Sequence, residues 1–184
     1  HIVSRLLGEV GDPVTRLVDA ARGPGDGRAR AGTSVDLGGL TSTVSRGLAP
    51  LARQSGVAIE IDAPDQSVWV DRTRIEQALG NLIGNAIVHG SGGSTVEVRC
   101  RVEGSRPAEV LAVDVLDRGP GIGTGSAEEL FEPFRRGAAP LGPGSGLGLA
   151  PVAATVKAHR GQFGAENRAG GGARFWFVVP VAGE

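Results

Sequence analysis

The strongest hydrophobic pattern in the chain is helical and covers residues 71–89. Apolar residues recur there every three or four positions, and Asp71 stands before them in the position of a helix cap. Opposite the apolar face runs a stripe of polar residues spaced by four: Gln77, Asn81, Asn85 and His89. The pattern predicts an amphipathic helix that ends at about His89 and carries two asparagines on its polar side.

The remaining patterns predict further helices and several strands. Helices are predicted over 1–22, Leu37–Ser55 with Asp36 as its cap, Ala127–Phe134 and Leu147–His159. Strands are predicted over 57–61, 68–70, 95–102, 110–116, 162–165 and 174–179. The segment 23–34 is rich in glycine and arginine and is predicted to be a mobile linker. Helices packed on one face of a mixed sheet would satisfy this order of elements.

Composition and charge exclude several classes of protein. Apolar residues make up 40% of the 184 residues, and the formal net charge of −1 gives no basic surface for nucleic acid. No run of about 18 apolar residues is present, so we expect no membrane span in this chain. The single cysteine, Cys100, lies in an alternating pattern and is predicted to be a buried strand residue. A chain without an internal disulfide fits a cytoplasmic setting.

The two asparagines of the predicted helix are candidates for binding a metal ion. Asparagine is a poor helix former, so a pair of them one turn apart is unexpected on a face that is merely exposed. A carboxamide oxygen can ligate Mg²⁺, which takes one or two protein ligands beside water and phosphate. An ordinary exposed helix face is the alternative interpretation.

A second candidate site is the segment from Asp117 to Gly123, with the sequence Asp-Arg-Gly-Pro-Gly-Ile-Gly. An aspartate at the end of a strand can accept a hydrogen bond from the exocyclic amine of adenine, whereas guanine presents an acceptor there. The glycines allow the backbone to approach a flat base closely. A simple turn is the alternative interpretation.

Two further motifs flank a stretch rich in glycine and proline. Gly144-Ser-Gly-Leu-Gly-Leu149 opens a predicted helix, and free N–H groups at a helix N-terminus bind phosphate. Its spacing fits neither the dinucleotide fingerprint nor the P-loop. Before this stretch, Phe131 and Phe134 can anchor a loop. Arg136, with Arg135 as a second candidate, can reach a γ-phosphate when that loop closes.

In their order and spacing these elements resemble the ATP-binding domain of histidine kinases, in the wider family that includes gyrase, Hsp90, MutL and the anti-sigma kinases. Asn81-Leu-Ile-Gly-Asn-Ala is similar to the N box, Asp117–Gly123 to the G1 box, Phe131–Phe134 to the F box and Gly144–Leu149 to the G2 box. Gly170–Phe175 resembles the last glycine box. The resemblance predicts one ATP-binding catalytic domain over residues 35–184.

The resemblance implies a two-layer α/β sandwich of the Bergerat type. Three helices would lie on one face of a mixed, mostly antiparallel sheet, and Mg²⁺-ATP would bind between the N-box helix and a lid. Asn85 would be the Mg²⁺ ligand and Asp117 the adenine contact. Asn81, Asn85 and Arg136 would act in catalysis. The residues expected around the nucleotide are Asn81, Asn85, His89, Asp117, Gly119, Gly121, Ile122, Gly123, Arg135, Arg136, Gly144, Ser145, Gly146, Leu147, Gly148 and Leu149.

Residues 1–22 resemble the end of the second helix of a dimerisation and phosphoacceptor domain. The acceptor box is absent, because none of His1, His89 and His159 is followed by an acidic residue. The resemblance therefore implies transfer of the γ-phosphoryl group to a histidine on a separate dimerisation domain, with a response regulator as a further partner. It also allows a homodimer through residues 1–22 and implies the cytoplasmic portion of a membrane-bound sensor.

Three positions depart from the family pattern. Val88 stands where many relatives carry lysine or arginine, so Arg136 is expected to take more of the contact with phosphate. Pro151 removes an N–H group early in the helix after the G2 box, and Ala173 stands where threonine is common.

Two other functions stay open beside phosphoryl transfer to histidine. In the gyrase and Hsp90 branch a glutamate lies four residues before the Mg²⁺ asparagine and activates water. Asn81 occupies that position here and cannot take a proton at neutral pH, which favours phosphoryl transfer over hydrolysis. An anti-sigma-type serine kinase and a non-catalytic nucleotide-binding docking module are the alternatives.

Overall fold

The computed structural model describes Val14 and residues 32–90, 93–123, 127–132 and 148–181. The helices within them are α1 (Leu37–Ser55), α2 (Arg72–His89), α3 (Ala127–Leu130) and α4 (Ala150–Ala158). The strands are β1 (Thr33–Asp36), β2 (Ala58–Asp62), β3 (Ser67–Val70), β4 (Thr95–Glu103), β5 (Val110–Leu116), β6 (Gln162–Asn167) and β7 (Ala173–Pro180). None of these described helices is long and apolar enough to cross a membrane.

A five-stranded sheet forms one layer of the fold. Its strand order is β2-β4-β5-β7-β6; β2 runs parallel to β4, and the other neighbouring strands are antiparallel. A separate antiparallel ribbon pairs β1 with β3. Helices α1, α2 and α4 form the second layer and share one hydrophobic core with the sheet. The predicted two-layer sandwich with a mixed, mostly antiparallel sheet is confirmed.

Alternation along the strands determines which side chains enter the core. In β4, Val96, Val98 and Cys100 are buried beneath the helices, whereas the residues between them carry charges on the opposite face. Burial raises the pKa of the Cys100 thiol to about 11, so this side chain is a neutral core residue at physiological pH. The prediction that Cys100 is a buried strand residue is confirmed.

The opposite face of the sheet is also covered in part. Val14 is 3% exposed and packs there with Val110, Ala112 and Val178. It is the one described residue of the helix predicted over 1–22. The rest of that helix, and the predicted linker up to residue 31, lie outside the described residues.

Helices α1 and α2 begin where the sequence predicts, because an aspartate caps each of them. The carboxylate of Asp36 accepts hydrogen bonds from the backbone N–H groups of Gly38 and Gly39, at 3.2 and 3.0 Å. Asp71 accepts one from the N–H of Arg74 at 3.1 Å. These bonds satisfy N–H groups that have no partner within the helix.

Replacing Asp36 with alanine should lower the free energy of unfolding by roughly 1 kcal/mol, because the first turn of α1 loses its side-chain cap. The control is Asp65→Ala, which removes an exposed carboxylate from the connection between β2 and β3. In urea denaturation, only Asp36→Ala should lower the midpoint of unfolding, and the slope of the unfolding free energy with urea should stay unchanged. Equal midpoints for the two variants would show that the cap contributes nothing.

Several element boundaries differ from the prediction, three of them as follows. Strand β1 begins at Thr33, so Thr33 and Ser34 belong to a strand and not to the predicted linker; their partners in β3 lie more than thirty residues away in sequence. Helix α3 ends at Leu130 instead of continuing to Phe134. Helix α4 begins at Ala150, with Leu149 as its N-cap, so Gly148 and Leu149 precede the helix instead of belonging to it.

Candidate functional site

The polar stripe of α2 changes its exposure along the helix. Gln77 is exposed, Asn81 is only 9% exposed, and Asn85 and His89 are half-buried. Helix α2 packs against both α1 and α4. An ordinary exposed helix face therefore does not describe this stripe. Among the described residues, neither asparagine carboxamide has a hydrogen-bond partner, which leaves both available to a ligand.

Asp117 lies at the end of β5 with its carboxylate held in one orientation. The residue is 1% exposed. Its Oδ1 accepts hydrogen bonds from the backbone N–H groups of Gly119 and Ala173, at 2.8 and 3.1 Å. Oδ2 has no hydrogen-bond partner among the described residues. A buried carboxylate with one fixed and one free oxygen is suited to accept a hydrogen bond from a ligand.

The segment 117–123, which we call the adenine loop after its predicted role, touches the end of α2. Gly119 lies so close to the carbonyl oxygen of His89 that a Cβ atom at this position would overlap it. The last residue of the polar stripe and the loop after β5 are therefore neighbours in space, although 28 residues separate His89 from Asp117 in the sequence. This contact requires glycine at position 119.

The far end of the adenine loop is held by Asn167, the last residue of β6. The Asn167 Oδ1 accepts a hydrogen bond from the N–H of Ile122 at 2.7 Å, and its Nδ2 donates one to the carbonyl of Ile122 at 3.1 Å. Gly121, which lies between, has a φ of +83° and no room for a Cβ beside the Asn167 carboxamide. Sequence reasoning did not identify Asn167.

The start of the adenine loop, at Asp117, is held by Arg168, the residue that follows Asn167. Its Nη1 donates a hydrogen bond of 2.7 Å to the carbonyl oxygen of Asp117. Its Nη2 lies 3.4 Å from Oε1 of Glu97, which belongs to the charged face of β4. Glu97 also pairs with Arg99, at 2.6 Å. Arg168 and Glu97 were not predicted either.

The last glycine box, Gly170–Phe175, packs against the start of the adenine loop. Gly172 has a φ of +90°, and a Cβ at this position would overlap the carbonyl oxygen of Asp117. Gly171 has a nearly equal φ of +98°, but a Cβ there would meet open space. The two positions share a positive φ, which would strain an alanine at either, and differ in the contact with Asp117.

The variant Gly172→Ala should therefore weaken ATP binding by about tenfold or more, because the new methyl group displaces the Asp117 backbone as well as straining φ. The variant Gly171→Ala is the matched control and should retain affinity close to wild type, since it carries the strain alone. Titration calorimetry with ATP measures both. Equal affinities for the two variants would show that the contact with Asp117 is unimportant.

The other predicted site residues fall into two groups. Ile122 is half-buried and packs on the edge of the core, and Gly123 beside it is exposed. Gly148 is exposed and Leu149 is buried at the entry to α4, which packs against α2. The residues whose placement lies outside the described part of the chain are Phe134, Arg135, Arg136, Gly144, Ser145, Gly146 and Leu147.

Two of the departures from the family pattern have a structural explanation. Pro151 lies in the first turn of α4, where a backbone N–H has no partner within the helix, so the missing N–H costs no helical hydrogen bond. Ala173 contributes to the site through its backbone: its N–H and carbonyl bond the Oδ1 and N–H of Asp117. A threonine side chain is not needed for those contacts. Val88 is half-buried near the end of α2.

The described residues contain no group of three or more histidine, cysteine or acidic side chains that could hold a metal ion by themselves. A Mg²⁺ ion bound together with ATP does not need such a group, because phosphate and water supply most of its ligands. The free carboxamide of Asn85, half-buried on α2, has the chemistry for the remaining position.

Comparisons with known proteins point to the same ATP-binding family that the sequence motifs resemble. Residues 70–183 match the family model of histidine kinase-, DNA gyrase B- and HSP90-like ATPases. The sensor protein SphS of Synechococcus elongatus is 35% identical over 90% of the chain. The sensor-like histidine kinase SenX3 of Mycobacterium tuberculosis is 32% identical over 94% of it. In each case the chain spans 42% of the relative's length.

Solved structures show the same fold. The catalytic domain of the histidine kinase ThkA aligns with a TM-score of 0.70 and 26% identity, covering 83% of this chain and 97% of that domain. Full-length ShkA, solved in complex with AMPPNP, aligns with a TM-score of 0.70 and 26% identity over 93% of this chain and 35% of ShkA. The chain belongs to the family of histidine kinase-, DNA gyrase B- and HSP90-like ATPases, and within it to the ATP-binding domains of two-component sensor kinases.

Proposed function

We propose that the domain binds Mg²⁺-ATP beside α2 and transfers the γ-phosphoryl group to a histidine on a separate dimerisation domain. The whole protein would then act as a membrane-bound sensor kinase, with this domain in its cytoplasmic portion. It would pass the phosphoryl group on to a response regulator. The support is the site around Asn81, Asn85 and Asp117, together with the likeness to sensor histidine kinases.

The observation that carries the choice of transfer over hydrolysis is the set of side chains on α2. The helix contains one carboxylate, Glu76, and this group lies 2.9 Å from the guanidinium of Arg72, in the first turns. At Asn81 and Asn85, where the stripe enters the site, only amides are present. An amide cannot act as the general base that hydrolysis by water needs. An imidazole acceptor brings its own lone pair and depends less on such a base.

The adenine loop would recognise the adenine base of ATP. The free Oδ2 of Asp117 would accept a hydrogen bond from the exocyclic amine, and Ile122 would form an apolar wall. Gly148 and Leu149, at the entry to α4, would contribute part of the backbone that faces phosphate, as the resemblance implies for the whole of Gly144–Leu149. His89 is half-buried beside the loop and would line the nucleotide.

Mg²⁺ would be held by the carboxamide oxygen of Asn85 and would neutralise charge on the phosphates. Asn81, one turn earlier and largely buried, would orient the phosphate chain with its amide N–H groups. Arg136, and Arg135 as a second cation, would approach the γ-phosphate from the segment before the G2 box. These two arginines enter the proposal from the sequence alone.

In the transfer step the unprotonated ring nitrogen of the acceptor histidine attacks the γ-phosphorus. A phosphorus–nitrogen bond forms, the bond to the bridging oxygen of ADP breaks, and the imidazole releases its other ring proton. The protein's part is to hold the two reactants in line and to stabilise charge on the moving group.

The experiment is to incubate the chain with ATP labelled at the γ-phosphate, Mg²⁺ and a separately produced dimerisation fragment that carries a histidine acceptor box. Label that appears on the fragment and is lost in acid but stable in base would support transfer to histidine. Acid-stable label would identify a serine kinase instead. Binding of ATP without transfer or turnover would favour the docking module.

A further inference from the structure

We infer that Asn167 is a positioning residue for nucleotide specificity: it holds the adenine loop in the shape that lets Asp117 select adenine. The inference rests on the proposed adenine contact of Asp117. Asn167 is the last residue of β6, before the turn that leads into β7, and its side chain bonds the adenine loop.

The Asn167 carboxamide satisfies both backbone groups of one residue. Its oxygen accepts from the N–H of Ile122 at 2.7 Å while its nitrogen donates to the carbonyl of Ile122 at 3.1 Å. A pair of bonds to the same residue fixes the orientation of that residue's backbone as well as its position. The side chain of Ile122 is thereby held on the edge of the core, where it would face the base.

The adjacent residue completes the restraint at the other end of the loop. Arg168 donates from Nη1 to the carbonyl of Asp117 at 2.7 Å and is held in turn by Glu97. The side chains of Arg168 and Glu97 are 20% and 19% exposed, so this ion pair is partly withdrawn from solvent. Asn167, at the end of β6, and Arg168, directly after it, therefore hold Ile122 and Asp117. These are the two residues proposed to face adenine.

The composition of the loop explains why such a restraint is needed. Gly119, Gly121 and Gly123 lie within it, and glycine loses more conformational freedom on ordering than any other residue. A loop that had to be ordered by the nucleotide would take that cost out of the binding energy. With Asn167 in place the cost is met during folding, and the free oxygen of Asp117 already points in one direction.

The test compares ATP with inosine triphosphate, which has a carbonyl oxygen in place of the exocyclic amine of adenine. We expect the wild-type chain to bind ATP more tightly, and Asn167→Ala to reduce the ratio of the two affinities by about tenfold through the loss of two hydrogen bonds. The control is Gln162→Ala, an amide removed from the opposite end of the same strand. A merely structural defect would lower both affinities and leave their ratio unchanged.

Asn167→Asp provides a second variant in case the alanine variant does not fold. The aspartate can still accept from the N–H of Ile122 but cannot donate to its carbonyl, so the ratio should fall less than in Asn167→Ala. Hydrogen exchange of the Ile122 amide, measured without nucleotide, should be faster in Asn167→Ala than in wild type. Unchanged exchange and an unchanged ratio would overturn the inference.

Asp117→Asn separates this inference from the proposed function. If that variant retains the wild-type preference for ATP over inosine triphosphate, the adenine contact itself is wrong. If it loses the preference while both Asn167 variants keep it, the adenine contact stands and the positioning role of Asn167 is wrong.

Discussion

Replacing Asn85 with alanine should reduce transfer of the γ-phosphoryl group to the dimerisation fragment by on the order of 100-fold or more. The variant removes the carboxamide oxygen proposed to ligate Mg²⁺ and leaves a side chain that is a better helix former. The helix should therefore persist. The measurement is the rate of label transfer at saturating ATP, together with the affinity for ATP in Mg²⁺ and in EDTA.

The matched control lies on the same helix. Gln77→Ala removes an amide of the same stripe two turns earlier, at an exposed position, and should transfer at nearly the wild-type rate. Asn85→Asp should recover part of the activity, because a carboxylate also ligates Mg²⁺. An Asn85→Ala variant with wild-type affinity for Mg²⁺-ATP and wild-type transfer would remove Asn85 from the metal site.

Replacing Asp117 with asparagine should weaken ATP binding by on the order of 100-fold while leaving the fold intact. The asparagine oxygen can take over the bonds that Oδ1 now accepts from Gly119 and Ala173. Its amide nitrogen would stand in place of Oδ2 and would present a donor to the donor of adenine. The measurement is titration calorimetry with ATP, with the thermal unfolding midpoint as the check on folding.

The control for this variant is Asp62→Asn, which neutralises an exposed carboxylate at the end of β2 and should bind ATP like wild type. Normal ATP affinity of Asp117→Asn would refute the adenine contact. A large fall in its unfolding midpoint would show instead that the charge of Asp117 maintains the loop, and that would shift the role of Asp117 from recognition to stability.

Local signals in the sequence were sufficient for the central helices. Asp36 and Asp71 mark the starts of α1 and α2, and the structure places both as caps. The spacing of apolar residues in α2 likewise identifies the face that becomes buried. Caps and helical periodicity act within one or two turns, so they can be read without knowledge of the rest of the chain.

Features that depend on distant partners could not be predicted in the same way. Strand β1 is four residues long and is defined by its pairing with β3. Asn167 gives no local signal, because its partner Ile122 lies 45 residues earlier in the sequence. The burial of Asn81 also depends on how α2 packs between its neighbours, so the periodicity could assign it to the polar stripe but not to an enclosed position.

Across the described part of the site, the backbone does much of the positioning. Asp117 is oriented by backbone N–H groups, Gly119 allows the loop to touch the end of α2, and Gly172 allows the last glycine box to lie beneath it. The side chains proposed to meet the nucleotide, Asn85 and Asp117, have atoms left without partners among the described residues. This division between fixed backbone and free ligand atoms is what we expect of a site formed before its ligand binds.

The central claim is that Mg²⁺-ATP binds between α2 and the adenine loop, with Asn85 on the metal. A crystal structure of the chain with Mg²⁺ and a non-hydrolysable ATP analogue tests it most directly. We expect the Asn85 Oδ1 at about 2.0–2.1 Å from the metal and the exocyclic amine of adenine within hydrogen-bonding distance of the Asp117 Oδ2. A nucleotide bound elsewhere, or a metal held without Asn85, would contradict it.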